Sequence, residues 1–478
     1  MMRLVFALGF LCFGVLQHSA RAETFQFNHE HVLGTSLQLT VDVPDQITAR
    51  KIERAALSEI DRLNSVLSSY DAASEFSKWQ RAKNPTQVSC DLAAVLRRAE
   101  HWRMATAGAF DVRAISGASV STSSEQAPYR VSTTNETTRL DSASISLDAI
   151  AKGYILDSVS EKVCKQFDTL SGFTINIGGD IRTCGDAPLT VGVTDPFAAS
   201  ENDPSLVQFL VEGNAGVATS GGYRRGHLNA GERQSHIIDP RSGQSVSEVA
   251  SVTVIAPNAT DADASATAVS VLGASDGIKL IEGLDGYHCL VVLNDGQVLA
   301  SSNWPSTESD VLVAMQSDEE KPGLIVDFKL NRPRGGRYRR PYVAVWLEDE
   351  DGYPVKTALL WLQTDQPGPR WHRDLTRWYR NDRMRKVVEK KNMIGTISGA
   401  TRGPGEYQAR FDGTDNEGNK LSDGKYTLCL EVAREHGTYQ IIREPVVLDG
   451  KPIAAKELKS NVEMSAVKFR YVPVSDAE

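Results

Sequence analysis

A chain of 478 residues has room for about three domain-sized units, so a sizeable core is not in question. Apolar residues at 41% and charged residues at 24% are ordinary for a soluble globular protein. The formal net charge of −9 argues against a nonspecific nucleic-acid binder and says nothing about fold.

The N-terminus reads as a secretory signal peptide spanning 1–22. Arg3 supplies the positive segment, Leu4 to Leu16 the apolar one, and Ala20-Arg21-Ala22 the small-x-small cleavage pattern before Glu23. A membrane anchor needs a longer apolar run, of about 18 residues, and Cys12 follows Leu11 rather than a small residue, which speaks against acylation. The expectation is export, to a bacterial periplasm, with no span left after cleavage. Cleavage leaves Cys90, Cys164, Cys184, Cys289 and Cys429, an odd and widely spread set that is neither a disulfide framework nor a zinc site. Buried thiols are the favoured reading, although Cys164 and Cys184 could pair in an oxidising compartment.

From Glu23 to about residue 320 strands alternate with amphipathic helices. Phe25 to Val43 predicts a strand pair, and Ile52, Ala56, Ile60, Leu63 and Leu67 then recur at helical spacing. A second helix carries Leu92, Val95, Leu96, Ala99 and Arg103. Ser116 to Asn135, rich in Ser and Thr, reads as a surface loop. A third helix is expected to begin near Asp148 and to keep Ile155, Val159 and Val163 on one face. Strands follow at Phe173–Ile177, Leu189–Val193 and Ser251–Ile255. This mixed order predicts an α+β or α/β domain over 23–320.

Composition shifts near Lys321-Pro322-Gly323. Beyond it short alternating strands (Tyr342–Leu347, Leu359–Gln363, Tyr407–Phe411, Tyr426–Ala433 and Tyr439–Ile442) are separated by turn residues, predicting an all-β, Ig-like sandwich over 321–478. Two basic stretches, Arg332 to Arg340 and the aromatic-rich Arg370 to Trp378, lie among them. A solvated linker is preferred to an anion-binding role for the first.

His236-Ile-Ile-Asp-Pro-Arg-Ser-Gly243 offers a histidine and Asp239 at a proline-enforced turn. Asp263 and Thr267 stand four residues apart, on one face of an expected helix. Such hard oxygen donors suit magnesium, which leaves positions for phosphate oxygens. A titratable base beside that cation is what phosphoryl-type transfer at a pyrophosphate requires. Each piece also has a structural reading: Asp261 or Asp263 could simply cap the helix, and Gly108 fits a helix C-cap. Ser74-Glu75 could cap another helix. Asn176-Ile-Gly-Gly-Asp180 reads first as a tight turn, whereas turn and phosphate site weigh about equally for Ser220-Gly-Gly-Tyr223.

In order, these pieces resemble the ApbE-like FAD:protein FMN transferases. The matching residues are His31-Val-Leu-Gly-Thr35, Ser68-Ser-Tyr70 with Ser74-Glu75, Gly108-Ala-Phe-Asp111, Asp148-Ala-Ile-Ala-Lys-Gly-Tyr154, Asn176-Ile-Gly-Gly-Asp180, Ser220-Gly-Gly-Tyr223, His236-Ile-Ile-Asp-Pro240 and Ala262-Asp-Ala-Ser-Ala-Thr267. The resemblance implies transfer of the FMN half of FAD to a Ser or Thr hydroxyl of an exported acceptor protein, with release of AMP. It further implies Mg²⁺ held by Asp263, Thr267 and the main-chain oxygen of Ala151, with Ala266 at a position where relatives supply another ligand. FAD would contact Leu33, Tyr70, Ala109, Phe110, Asp111, Asp148, Tyr154 and His236, with Lys152 beside the same cradle. His236 is the candidate base, with Asp239 and Asp180 as rivals. The sequence departs from the pattern at Leu33, where methionine is usual, and at Asp111-Val-Arg113, which replaces Asp-Pro-Thr. Two alternatives share these residues: a periplasmic FAD pyrophosphatase, and a non-catalytic FAD-binding or flavin-carrying redox protein.

Residues from about 324 to 475 resemble a domain of unknown function found in exported bacterial proteins, and Arg410-Phe-Asp-Gly-Thr-Asp415 with Ser422-Asp-Gly-Lys-Tyr426 resembles an Ig-like module. Ser398-Gly-Ala-Thr401 resembles the end of the sequence on which FMN is carried, although Gly395 replaces its aspartate. Thr401 is thus a candidate acceptor, in cis or in trans. Ser116-Gly-Ala-Ser119 shows that near matches also arise elsewhere in the chain.

Overall fold

The computed structural model describes residues 22–114, 126–186, 188–198, 200, 202–203, 205–221, 227–229, 232–234, 237–305, 322–333, 338–364, 368–389, 393–435 and 437–473. The signal-peptide segment, Ser116-Gly-Ala-Ser119 and His236 lie outside them, as does the centre of the first basic stretch. No helix among the described residues is long and apolar enough to cross a membrane.

The first domain is built on an eight-stranded antiparallel sheet. Its strands run in the order Glu23–Val32, Thr35–Val43, Gly172–Ile177, Asp180–Gly185, Gly216–Gly221, Val249–Ala256, His288–Leu293 and Val298–Ala300. The opening hairpin turns on Leu33 and Gly34, both at positive φ (48° and 80°), the geometry that the twist of a two-residue hairpin demands.

Helices α1 (Gln46–Leu67), α2 (Glu75–Gln80), α3 (Cys90–Ala105), α4 (Ala151–Gln166) and α5 (Ala259–Glu282) accompany the sheet. Asp45 caps α1 by accepting the Thr48 N–H. Ala49, Ile52, Ala56, Ile60, Leu63 and Leu67 are all buried, as their helical spacing predicts. They join Leu39, Val41, Ile175, Val252 and Val254 of the sheet in one core. The opposite face, through Ile181, Val217, Ile255 and Leu290, packs against a hairpin of Leu189–Val193 and Val207–Val211. The two layers of cover explain why every residue of Val249–Ala256 is buried.

Three expectations need correction. Helix α4 starts at Ala151 rather than near Asp148, and has no side-chain cap. Tyr129–Val131, expected in a loop, is a strand paired with Glu136–Arg139. Burial of Tyr129 against Trp79, with its hydroxyl donating to the Leu96 carbonyl at 2.9 Å, overrides the polar composition around it. Finally, Cys164 and Cys184 form a disulfide rather than two buried thiols, joining the end of α4 to the strand that begins at Asp180. Cys289 and Cys429 are buried thiols, and Cys90 is exposed.

The second domain is a sandwich. A four-stranded sheet, Gly405–Phe411, Gly323–Leu330, Met464–Val472 and Ile453–Glu457, faces a five-stranded one, Ser398–Gly399, Pro354–Trp361, Tyr342–Glu348, Gly424–Ala433 and Tyr439–Leu448. Phe328, Phe411 and Phe469 of the first meet Val345, Trp361 and Leu430 of the second. The outer face of the five-stranded sheet is covered by the helix Thr376–Glu389. The basic stretch at 370–378 is therefore packed: Trp378 is buried beside Trp346 and Ala344. Buried Glu431 accepts the N–H groups of Arg377 and Trp378, both at 2.8 Å, and so caps that helix from a strand.

The domains are joined by polar contacts. Asn202 exchanges two hydrogen bonds with the Arg410 backbone, and Asp203 pairs with the Arg410 guanidinium at 2.7 Å. Thr364 donates to the Asn28 carbonyl, and Thr401 to Glu30.

Candidate active site

The site depends on how closely α4 crosses α5. A Cβ on Gly153 would come within 2.3 Å of the Ala259 carbonyl oxygen and 2.6 Å of the Thr260 Cα, so only glycine permits this approach. Asn258 caps α5 by accepting the Asp261 N–H, and Asp157 of α4 accepts the N–H groups of Ala259 and Thr260, each at 2.8 Å. The capping role considered for Asp261 and Asp263 therefore belongs to Asn258 and Asp157. Asp261 is instead buried in a network with Arg98, Trp102 and Tyr287.

Asp263 is left one turn further along, facing a cleft of about 740 Å³ that Thr267 also lines. This volume is that of a pocket for an extended small molecule. Among the described residues Asp263 accepts one long hydrogen bond, from the Gly153 N–H at 3.4 Å. Its burial, reinforced by the negative charge of Asp180 and only partly offset by Lys152, pushes the carboxyl up to about 7. Lys152 forms a salt bridge with Asp180 at the cleft wall.

The far wall comes from two glycine turns. Gly178 and Gly179 have φ of 65° and 108° and close the hairpin of Gly172–Ile177 with Asp180–Gly185. The turn reading of Asn176-Ile-Gly-Gly-Asp180 is correct, and the same two glycines line the cleft. Gly108, at φ 82°, ends α3 by donating to the Arg103 carbonyl and delivers Ala109, Phe110 and Asp111 to the cleft. The departure at Asp111-Val-Arg113 has a direct consequence. Arg113 grips the Asp111 carboxylate with two nitrogens, at 3.0 and 2.6 Å, and also reaches Asp141. Ser74 caps α2, while Glu75 accepts the Ser89 N–H at the start of α3.

Of the sequence-predicted residues, Ala109, Phe110, Asp111, Asp148, Lys152, Asp180, Asp263 and Thr267 line one cleft. Asp148 accepts hydrogen bonds from Ser69 and Tyr70, and Tyr70 is otherwise exposed. Tyr154 points elsewhere, donating to Asp91 at 2.9 Å. Leu33 packs on the core from the hairpin turn, and Ala151 is half-buried at the start of α4. Ala266 is buried, its carbonyl accepting the Ser270 hydroxyl. Asp239 is held by Arg241 at 2.9 and 3.0 Å; although burial pulls its carboxyl upward, these bonds keep it below the usual carboxylate range. Ile237 and Ile238, next to His236, line the cleft. Sequence reasoning missed Asp157 and Arg402. The latter comes from the second domain, stands over the Trp361 ring and lines the same cleft.

Two of the expected donors fit a magnesium ion: a buried carboxylate with little hydrogen bonding and a hydroxyl on the same helix face, both hard oxygen groups lining the cleft.

The ApbE family model matches residues 33–291, more than half of the chain, and a family described as a predicted periplasmic protein (DUF2271) matches 324–466. The FAD:protein FMN transferase of Haemophilus influenzae is 27% identical over 289 residues, covering 54% of this chain and 82% of that protein. That of Vibrio cholerae is 30% identical over 257 residues, covering 47% and 75%. A Klebsiella pneumoniae transferase is 34% identical over 159 residues, and there the chain spans about half (48%) of the relative's length. The crystal structure of an ApbE protein from Thermotoga maritima superposes with a TM-score of 0.51 at 27% identity, covering 59% of this chain and 97% of that one. The chain belongs to the ApbE family.

Proposed function

We propose that this protein is an exported, Mg²⁺-dependent FAD:protein FMN transferase that releases AMP. The observation that carries the reading is the convergence of Asp263, Thr267 and the Lys152–Asp180 pair on one cleft large enough for a dinucleotide. Asp263, Thr267 and the Ala151 carbonyl would hold the magnesium. When bound, the ion would neutralise the pyrophosphate of FAD and ease departure of AMP. Lys152 stands at the cleft wall paired with Asp180, which offsets its charge and would leave the phosphates to the cation and Arg402. Ala109, Phe110 and Asp148 would bind the rest of FAD, with Tyr70 at the rim. The acceptor hydroxyl must lose its proton to a base. Asp180, although paired with Lys152, and the neighbours of His236 line the cleft, whereas Asp239 is not among its lining residues and is engaged by Arg241. These placements favour His236 or Asp180. The signal-like N-terminus and the likeness of 324–466 to a predicted periplasmic family support a periplasmic location.

Thr401 is the proposed acceptor, supported by its Ser-Gly-Ala-Thr context and by Arg402, the next residue, lining the cleft. Incubating the mature chain with FAD and Mg²⁺ tests both proposals. AMP together with flavin on Thr401 is expected, and neither should form with chelator or in Asp263→Ala. AMP with equimolar free FMN would establish a pyrophosphatase, and retained FAD without AMP a flavin-binding protein.

A further inference from the structure

We propose that Glu30 is the positioning residue that docks Thr401 beside the transferase cleft, and that attachment of FMN opens this contact. The inference rests on Thr401 being an acceptor and adds how the acceptor is held and released. Glu30 lies where the edge strand loses register with its partner, between His29 and Val32, next to His31 at φ 62°. Both of its carboxylate oxygens serve one residue of the other domain. One accepts the Thr401 N–H and the other the Thr401 hydroxyl, each at 2.8 Å.

The pair is largely shielded from water: the Glu30 side chain is 9% exposed and Thr401 is 2% exposed. Two charge-assisted bonds in such a setting select a hydroxyl-bearing residue, because a residue without the hydroxyl would lose one of them and leave that oxygen only the longer His31 contact at 3.9 Å. Arg340 contacts the Thr401 carbonyl from the same small cleft, while Arg402 lines both this cleft and the large one. The acceptor is therefore held one residue from the substrate cavity, by a residue of the transferase domain.

Transfer reverses the sign of this contact. The Thr401 O–H bond breaks and its proton passes to the base. Oγ bonds the phosphorus of the FMN half, and the bond from that phosphorus to the bridging oxygen breaks, leaving with AMP. The product oxygen has no proton to donate to Glu30. The new phosphodiester adds a negative charge against a carboxylate, so attraction becomes repulsion. The contact thus favours the unmodified threonine and expels the modified one.

The test uses the full mature chain with FAD and Mg²⁺, following AMP release, intact mass and amide exchange at Thr401. Glu30→Ala should slow modification of Thr401 by roughly tenfold to a hundredfold, the range for losing charge-assisted hydrogen bonds. Glu30→Gln, which keeps one acceptor oxygen and the shape of the side chain, should fall between. The Thr401 amide should exchange slowly in the unmodified wild type and faster both in Glu30→Ala and after flavinylation. Modification of Glu30→Ala at the wild-type rate would overturn the positioning role while leaving Thr401 an acceptor. Unchanged protection after flavinylation would overturn the release. AMP release with Thr401 left unmodified in the wild type would overturn the acceptor reading and this inference together, leaving the nucleotide chemistry standing.

Discussion

Replacing Gly153 by alanine should damage both stability and turnover, although alanine is the better helix former. In isolation the exchange gains about 1 kcal/mol of helix propensity. At this position the new Cβ meets the Ala259 carbonyl oxygen at 2.3 Å and the Thr260 Cα at 2.6 Å, where ordinary contact starts at 3.4 Å. Both neighbours are backbone, so no side chain can swing aside and the two helices must separate by roughly 1 Å. Overpacking of this kind costs about 1–3 kcal/mol. The same movement stretches the bonds from Asp157 to the Ala259 and Thr260 amides, worth about 1 kcal/mol each. The net loss is about 2 kcal/mol, or roughly 5 °C in melting temperature for a domain of this size. Lys152 and Ala151 adjoin Gly153 on one helix while Asp263 lies on the other, so the separation falls across the candidate metal site. A misplacement near 1 Å lowers turnover by about a hundredfold. Thermal melting and AMP release measure the two effects. A variant that melts at or above the wild type, with normal turnover, would refute the argument that α4–α5 contact sets the site.

Mg²⁺ should raise the melting temperature of the wild type, and Asp263→Asn should abolish both that rise and AMP release. In metal-free protein the sign reverses. The folded-state carboxyl is raised to about 7 from 3.8, so its ionisation costs stability progressively as pH climbs through that window, and the asparagine variant should melt higher than wild type at pH 8 but not at pH 4. Asp157→Ala should cost about 1–3 kcal/mol in a denaturant titration, because two amides at the start of α5 lose their acceptor, and it should also weaken the stabilisation by Mg²⁺. Reduction of Cys164–Cys184, or Cys164→Ser, should cost about 3 kcal/mol from the loop closed by a separation of 20 residues; an unchanged melting temperature under reductant would contradict that.

What could be read from the sequence was whatever local periodicity dictates. The buried stripe of α1, the strand runs at 173–177 and 251–255, and the shared face of Asp263 and Thr267 follow from spacing alone. The start of α4 did not: Asp148, near which the helix is expected to begin, has its carboxylate taken by Ser69 and Tyr70, nearly 80 residues earlier in the chain. Tyr129 was hidden in a polar stretch, where only its packing on Trp79 reveals a strand. Arg113 was visible as an irregularity, but its grip on Asp111 needed coordinates. Glu30 and Arg402 carried no local signal: the partner of Glu30 lies across the domain junction, and Arg402 lines a cleft built mainly by the other domain.

The charges in the cleft bear on why the proposed metal and dinucleotide would bind together. With Asp111 neutralised by Arg113, the described wall presents Asp148, Asp180 and Asp263 against Lys152 and Arg402. Lys152 is already committed to Asp180, so the end of the cleft around Asp263 is acidic and would repel a pyrophosphate on its own. A divalent cation held at Asp263, as proposed, would turn the same surface from repulsive to attractive. The two proposed binding events would then be coupled, and by linkage each would strengthen the other. Arg402 contributes the remaining positive charge from the second domain. If Thr401 is the acceptor, the domain offering the hydroxyl would also complete the electrostatics of the cavity that uses it.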